Sequence, residues 1–399
     1  NANYGIDLTA SGTITLNGDL ATDGLGADAN TGGVRFAGAS GITLAANIAI
    51  DTDDGGTGTD RDIDITVPVS ATTADSETLT LQAGTDGTVN LDAVIGTAGN
   101  ELGGVDASGS LIDVTANVGA NGITLTGGGD PGINIGAVTL DTRGTDMVLA
   151  SAGDIAIDGG ASLTSTTANP NVVFRGTTDG TTIGVGTGAA GDINLSEAEL
   201  ARVSGNITDI EIGTAGSQTG TITIDDDTDT ATADVLTLSN TNLVLHADGG
   251  AAVSQIDTGE VDLSGAAGLA FTINGAGGTT LQADISTQGG AISIDDAVTV
   301  NGAVTVDSGV GTPGTAGAIE ITGAVDSNDA TGDTLTFSAV GGTNNGNVTV
   351  GGNAEGGTAG SADGTDLTGF TVSGGATVSL QNVEADGGAG GRLHLPHDR

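Results

Sequence analysis

The chain has 399 residues, a formal net charge of −44, 73 Gly, 2% aromatic residues, no Cys and no Trp. Aromatics supply the large buried areas of an ordinary globular core, so this core must be built from Ile, Val, Leu and Ala in a thin, regular cross-section. Of the 51 acids, nine are Glu and 42 are Asp, while all seven basic residues are Arg, so the charge sits mainly in turns and the electrostatic footprint of a nucleic-acid binder is missing.

A Gly-rich acidic chain invites a reading of disorder, but the apolar residues keep a strict pattern. Pairs separated by one polar residue open the chain: Ile6/Leu8, Ile14/Leu16, Val34/Phe36, Ile42/Leu44, Ile48/Ile50 and Ile63/Ile65. The beat continues through Leu79/Leu81, Val89/Leu91, Ile123/Leu125, Ile133/Ile135 and Ile155/Ile157. It resumes at Ile222/Ile224, Leu243/Leu245, Ile319/Ile321, Leu335/Phe337, Val348/Val350 and Val378/Leu380. Alternation over three to five residues means a strand with one buried face. The breaks are Gly, Asn, Asp and Ser, which suit tight turns. In "GGAISIDDAVTVNGAVTVDSG" (Gly289 to Gly309) the pairs Ile292/Ile294, Val298/Val300 and Val304/Val306 recur every six residues. This reads as three strands around one narrow coil, with corners at Asp295, Asp296, Asn301 and Gly302.

Very short strands with such corners predict an all-β chain: a single elongated parallel β-helix (β-solenoid) with Gly/Asp-rich loops, continuous over residues 1–390 and ending in a tail at 391–399. At about 20–25 residues per coil, the chain would form roughly 16–20 coils. An internal repeat supports duplication of segments around 78–114 and 334–383. "TLTLQAGTDGTVNL" (Thr78 to Leu91) is echoed by "TLTFSAVGGTNNGNVTV" (Thr334 to Val350), and "LGGVDASG" (Leu102 to Gly109) by "LTGFTVSG" (Leu367 to Gly374). One stretch breaks the pattern: "LSEAELARVSG" (Leu195 to Gly205) has Ser196 and Glu199 at capping-box spacing and predicts at most one short helix near 195–204.

The phrase "LSEAELARVSGNITDIEIGTAGSQTGTITI" (Leu195 to Ile224) resembles segments of large secreted, repetitive bacterial adhesins with filamentous-haemagglutinin-like β-strand repeats. Leu195, Ser196, Glu199, Leu200, Val203, Ile210, Ile212, Gly213, Gly220, Ile222 and Ile224 carry the likeness. It extends to about 100 residues by phrase, the "GNVTV" and "LTGFTVSG" stretches included, and to most of the chain by texture. The absence of Lys, of a secretion domain and of a carboxy-terminal anchor sets the chain apart. The resemblance implies a right-handed coil and an extracellular, cell-surface protein.

Chemistry is sparse. With no Cys and no Lys, thiol nucleophiles and Schiff bases are excluded. His246 ends a strand pair and reads as a solvated or corner residue, while His394 and His397 sit in the tail. No enzyme is expected, although two carboxylates on adjacent coils could meet. Ca²⁺ wants six to eight oxygens. The densest source is "DDDTDT", where Asp225, Asp226, Asp227 and Asp229 form a candidate Ca²⁺ cluster or a solvated loop; no cofactor is required otherwise. A single G-G-x-G-x-D within Asp51 to Asp64 lacks the tandem copies that hold Ca²⁺ between coils and reads as a loop. Thr-x-Thr at Thr13–Thr15, Thr78–Thr80, Thr221–Thr223 and Thr334–Thr336 raises an ice-binding alternative, at irregular spacing.

The expected function is structural or adhesive: a β-solenoid subunit or segment assembling head to tail with identical copies into a filament, sheath or stalk. The alternative is an adhesin rod that binds a glycan or host surface through loops such as Gly351 to Asp366. A carbohydrate-active β-helix enzyme comes third. No nucleic-acid partner and no transmembrane segment are expected.

Overall fold

Alternation puts every second side chain of a strand on one face, and a three-residue strand buries two side chains and shows one. The computed structural model describes residues 4–22, 33–38, 40–53, 61–167, 169–225, 235–255, 259–311, 314–327, 333–352, 367 and 369–380. It is nearly all β, with 51% strand against 1% helix, arranged in parallel sheets of many strands as a parallel β-solenoid. Among the described residues, no helix is long and apolar enough to cross a membrane.

The chain divides into two compact units, Asn1–Thr178 with Arg202–Asp209, and Asp179–Ala201 with Ile210–Arg399. In the first unit the chain visits three sheets in turn, beginning with Tyr4–Thr9, Thr13–Leu16 and Leu20–Ala21. The first sheet continues through Gly33–Ala37 and Ile63–Ile65 to Ile155–Ile157, and the third through Ile48–Asp51 and Thr78–Gln82 to Val172–Gly176. The second sheet is held together partly by single bridges, which stack Ile42, Val69, Ile95, Val118, Leu140 and Leu163 in one buried column.

The second unit repeats the plan. Its first sheet runs from Ile193–Leu195 to Val325–Ser327, its second from Val235–Thr237 to Gly369–Ser373, and its third from Asp209–Ile212 to Val378–Leu380. The six-residue beat falls out as expected: Ile292–Asp295, Val298–Val300 and Ala303–Asp307 lie in three different sheets of this unit. Ile292, Ile294, Val298, Val300, Val304 and Val306 are all at most 1% exposed. At the corner, Gly302 has φ +101°, a conformation that a side chain would oppose. The corner at 195–204 holds the one short helix among the described residues, Glu197–Leu200, closed by a capping box between Ser196 and Glu199.

Coil length departs from the expectation. A residue stacks on one as near as 10 positions away (Ile183 on Ile193) or as far as 40 (Leu163 on Val203). The third sheet therefore has seven described strands in each unit, fewer than a 20–25-residue coil implies. Corner loops absorb the difference, because only the strands must match in register. The echoed phrases stack in the same order but in non-equivalent sheets: Thr78–Gln82 carries Gly104–Gly109 in a third sheet, and Thr334–Ser338 carries Gly369–Ser373 in a second sheet.

Most buried polar groups have partners, as burial demands; among the described residues Arg175 Nε and Arg202 Nε are buried without a hydrogen bond. The Gln218 amide donates to Thr181 O at 2.7 Å and Gly220 O at 2.9 Å. The buried hydroxyls of Thr287 and Ser308 donate across their corners to Gly290 O and Gly317 O.

Leu125 is fully buried between Ala107 and Leu149 of neighbouring rungs. Leu125→Ala removes about 2–5 kcal/mol of stability, measured as a lower chemical-denaturation midpoint.

Candidate functional site

In a parallel, in-register stack each outward side chain stands about 4.8 Å from its counterpart on the next rung. Like charges placed directly opposite destabilise the pairing, so a chain of net charge −44 must arrange its outward rows with care. The first unit does so on its first sheet, where register aligns Asp7, Arg35, Asp64, Asn90, Asp113 and Asn134. An Arg or an Asn follows every Asp. Asn90 Nδ2 donates to Asp64 Oδ1 at 2.6 Å, and Asn134 Nδ2 donates to Asp113 Oδ1 at 2.7 Å.

A corner clamp joins three rungs of the same unit. Arg143 Nε reaches Asp75 Oδ1 at 3.3 Å and its Nη1 reaches Glu101 Oε1 at 3.2 Å. Both Arg143 and Asp75 have positive φ, 46° and 58°, a strained choice for non-glycine residues. The backbone N–H of Glu101, that of Gly99 and the Arg143 charge hold the Glu101 carboxyl below its usual range, against the opposing effect of burial.

The second unit shows the opposite arrangement on its second sheet. Glu260, Asp262 and Asp284 gather there, half-buried. Asp284 Oδ1 accepts from Thr305 N at 2.6 Å, and Asp262 Oδ1 accepts from Ser264 N at 2.7 Å and Ser286 Oγ at 3.0 Å. Burial pushes the Glu260 carboxyl up, and the charges of Asp284 and Asp262 add to the shift. Among the described residues, no group of three His, Asp or Glu side chains is placed to hold a metal ion.

The residues singled out from sequence fall as follows. Asp225 closes the strand Ile222–Ile224: its N–H donates to Val185 O at 2.9 Å and its carbonyl accepts from Gly188 N at 3.1 Å. Asp226, Asp227 and Asp229, the G-G-x-G-x-D turn, His394, His397 and nearly all of the Gly351 to Asp366 loop lie outside the described residues. His246 corrects the expectation of a solvated or corner position. It points outward from within the strand Asn242–Ala247, with its side chain only 12% exposed. Its Nε2 stands 3.2 Å from Glu211 Oε2 and its Nδ1 3.4 Å from Asn274 Nδ2. Both ring nitrogens thus have a polar partner, with the donor and acceptor roles set by the tautomer. The four Thr-x-Thr motifs stand in four different sheets and so do not form one array.

Sequence reading missed the Asp/Asn alternation, the Arg143 clamp and the Glu260 group. The Asp and Asn residues were visible as corner-like breaks, but their alignment depends on coil length, which varies. No family model, curated protein or solved structure matches the chain.

Two substitutions check this electrostatic arrangement. Asn90→Asp puts three carboxylates in line and loses an amide donor, costing about 1–2 kcal/mol at low ionic strength; thermal melts should show the deficit shrinking as NaCl is added. Glu260 favours the protonated form in the fold, so its contribution is present at acid pH and is lost as pH rises through its raised value. Glu260→Gln should therefore raise Tm at pH 7 and leave it unchanged at a pH where Glu is protonated in both states.

Proposed function

We propose that this chain is a structural or adhesive protein of the bacterial cell exterior, a β-solenoid segment whose copies stack head to tail into a filament, sheath or stalk. The observation that carries the reading is the first described rung. Tyr4–Thr9, Thr13–Leu16 and Leu20–Ala21 each pair with a strand on one side only among the described residues. Their inward residues Ile6, Leu8, Ile14 and Leu20 are only half-buried. One rung on, Val34, Phe36, Ile42 and Leu44 are 2% exposed or less.

A rung of this kind is completed by a further strand layer, whether from preceding coils of the same solenoid or from a second copy. A second copy supplies strands of the same length and the same inward aliphatic pair, so stacking would bury the four residues and extend three sheets at once. The acidic outward rows support the extracellular placement, since they keep the sides solvated and repel unrelated anionic surfaces. The reading requires no cofactor, and it assigns the chain a mechanical task in place of catalysis.

Electron microscopy and light scattering test this. The chain should form filaments at neutral pH, and Ile6→Asp combined with Ile14→Asp should leave short species with an unchanged circular dichroism spectrum. A wild-type chain that stays a monodisperse monomer with Ca²⁺ present would overturn the proposal.

A further inference from the structure

The Asn-Gly step occurs five times in the chain: Asn17-Gly18, Asn121-Gly122, Asn274-Gly275, Asn301-Gly302 and Asn345-Gly346. Its chemistry is intrinsic. The backbone nitrogen of the Gly can attack the side-chain carbonyl carbon of the Asn, and a Gly puts no Cβ in the way. Asn is a thermolabile residue for this reason. The attack needs a free Asn amide, a backbone N–H released from hydrogen bonding, and room for the main chain to rotate. The fold supplies these conditions unequally to five steps that are identical in sequence.

Four steps are held. Gly302 N donates to Asp333 Oδ1 at 2.7 Å. Gly346 N donates to Ala339 O at 2.9 Å, while Asn345 Oδ1 accepts from Gly341 N at 3.1 Å. Asn274 and Gly275 lie within the strand Phe271–Gly275, and Asn274 Nδ2 stands 3.4 Å from His246 Nδ1. Asn121 is fixed on both sides, its N–H donating to Leu102 O and its carbonyl accepting from Thr145 N, each at 2.8 Å. Its Oδ1 packs so closely on Gly144 that a Cβ there would overlap it. The step Asn17-Gly18 is different. Both residues are exposed at the corner between Thr13–Leu16 and Leu20–Ala21. Among the described residues, neither the Asn17 amide nor the Gly18 N–H has a hydrogen-bond partner. A Cβ built on Gly18 meets nothing within 4 Å, so the corner leaves room for the attack.

We propose that Asn17 is a site of spontaneous deamidation, and that its conversion loosens the first described rung. The Gly18 nitrogen bonds to Asn17 Cγ, and the side-chain nitrogen leaves as ammonia, taking the proton that the Gly18 nitrogen gives up. A five-membered succinimide ring remains. Water then opens the ring at either carbonyl. One opening leaves an ordinary main chain with a carboxylate in place of the amide. The other leaves isoaspartate, whose main chain runs through the former side chain and is one methylene longer. One water is consumed and one ammonia released, with no oxidant or reductant. Two residues on, Asp19 Oδ1 accepts from Ala49 N at 2.8 Å and ties this rung to the next. The strand beside it, Leu20–Ala21, is held only by its pairing with Ile50 and Asp51. A longer main chain and a new negative charge at position 17 weaken that tie, and an edge this short then frays.

Mass spectrometry with peptide mapping reads the replacement of NH2 by OH at each step separately. In the folded chain, incubated in mildly basic buffer, Asn17 should convert several-fold faster than Asn301 and Asn345. In guanidinium chloride the five steps should converge, because the protection belongs to the fold. Gly18→Ala adds a Cβ where there is space for it, so it should leave the circular dichroism spectrum unchanged and slow conversion at Asn17 several-fold. Asn301 or Asn345 keeping pace with Asn17 in the folded chain overturns the proposal, as does a Gly18→Ala chain that converts at the wild-type rate. Amide hydrogen exchange reads the consequence. Exchange at Leu20 and Ala21 should quicken as Asn17 converts and stay constant in an equally aged Asn17→Gln chain. Equal exchange in the two aged chains overturns the loosening of the rung.

Discussion

Everything in this molecule follows from parallel, in-register stacking. Each side chain stands about 4.8 Å from the corresponding residue of the next rung, so whatever a position does, it does beside its own kind. For aliphatic residues this is favourable. Ile42, Val69, Ile95, Val118, Leu140 and Leu163 form a closed column, and each buried side chain contributes about 1.5–3 kcal/mol. For carboxylates it is unfavourable, and the outward rows show three different responses.

The first response is alternation, with Asn90 and Asn134 each donating to the Asp of the preceding rung. The second is tolerated repulsion at Glu260, where burial and two neighbouring Asp charges favour the protonated carboxyl. The third is omission of charge, in the row from Gly184 to Thr299. A single row type over a whole unit would leave all sides equivalent. The differences make the sides of the second unit unlike one another.

The interior is permissive in the same way. Because only the strands must stay in register, the distance between stacked residues ranges from 10 to 40 positions among the described residues. Insertions collect at corners, where Thr287, Ser308 and Gln218 close the local backbone with side-chain hydrogen bonds. The Arg143 clamp does the same with charge, tying Asp75 and Glu101 at one corner.

Alternation of Ile, Val and Leu, together with corner residues such as Asn301 and Gly302, was enough to determine short parallel strands, their buried faces and the all-β class. Ser196 and Glu199 likewise determined the one short helix, since a capping box is local. Only the tertiary structure decided which outward residues share a row. That Asn90 meets Asp64, that Thr280 lies between Ser254 and Thr299 in an uncharged line, and that His246 stands between Glu211 and Asn274 all depend on coil length. Coil length is set by loops whose residues have no period. Strand pattern is a property of neighbours along the chain, whereas row composition is a property of neighbours 10–40 residues apart, and no local rule connects the two.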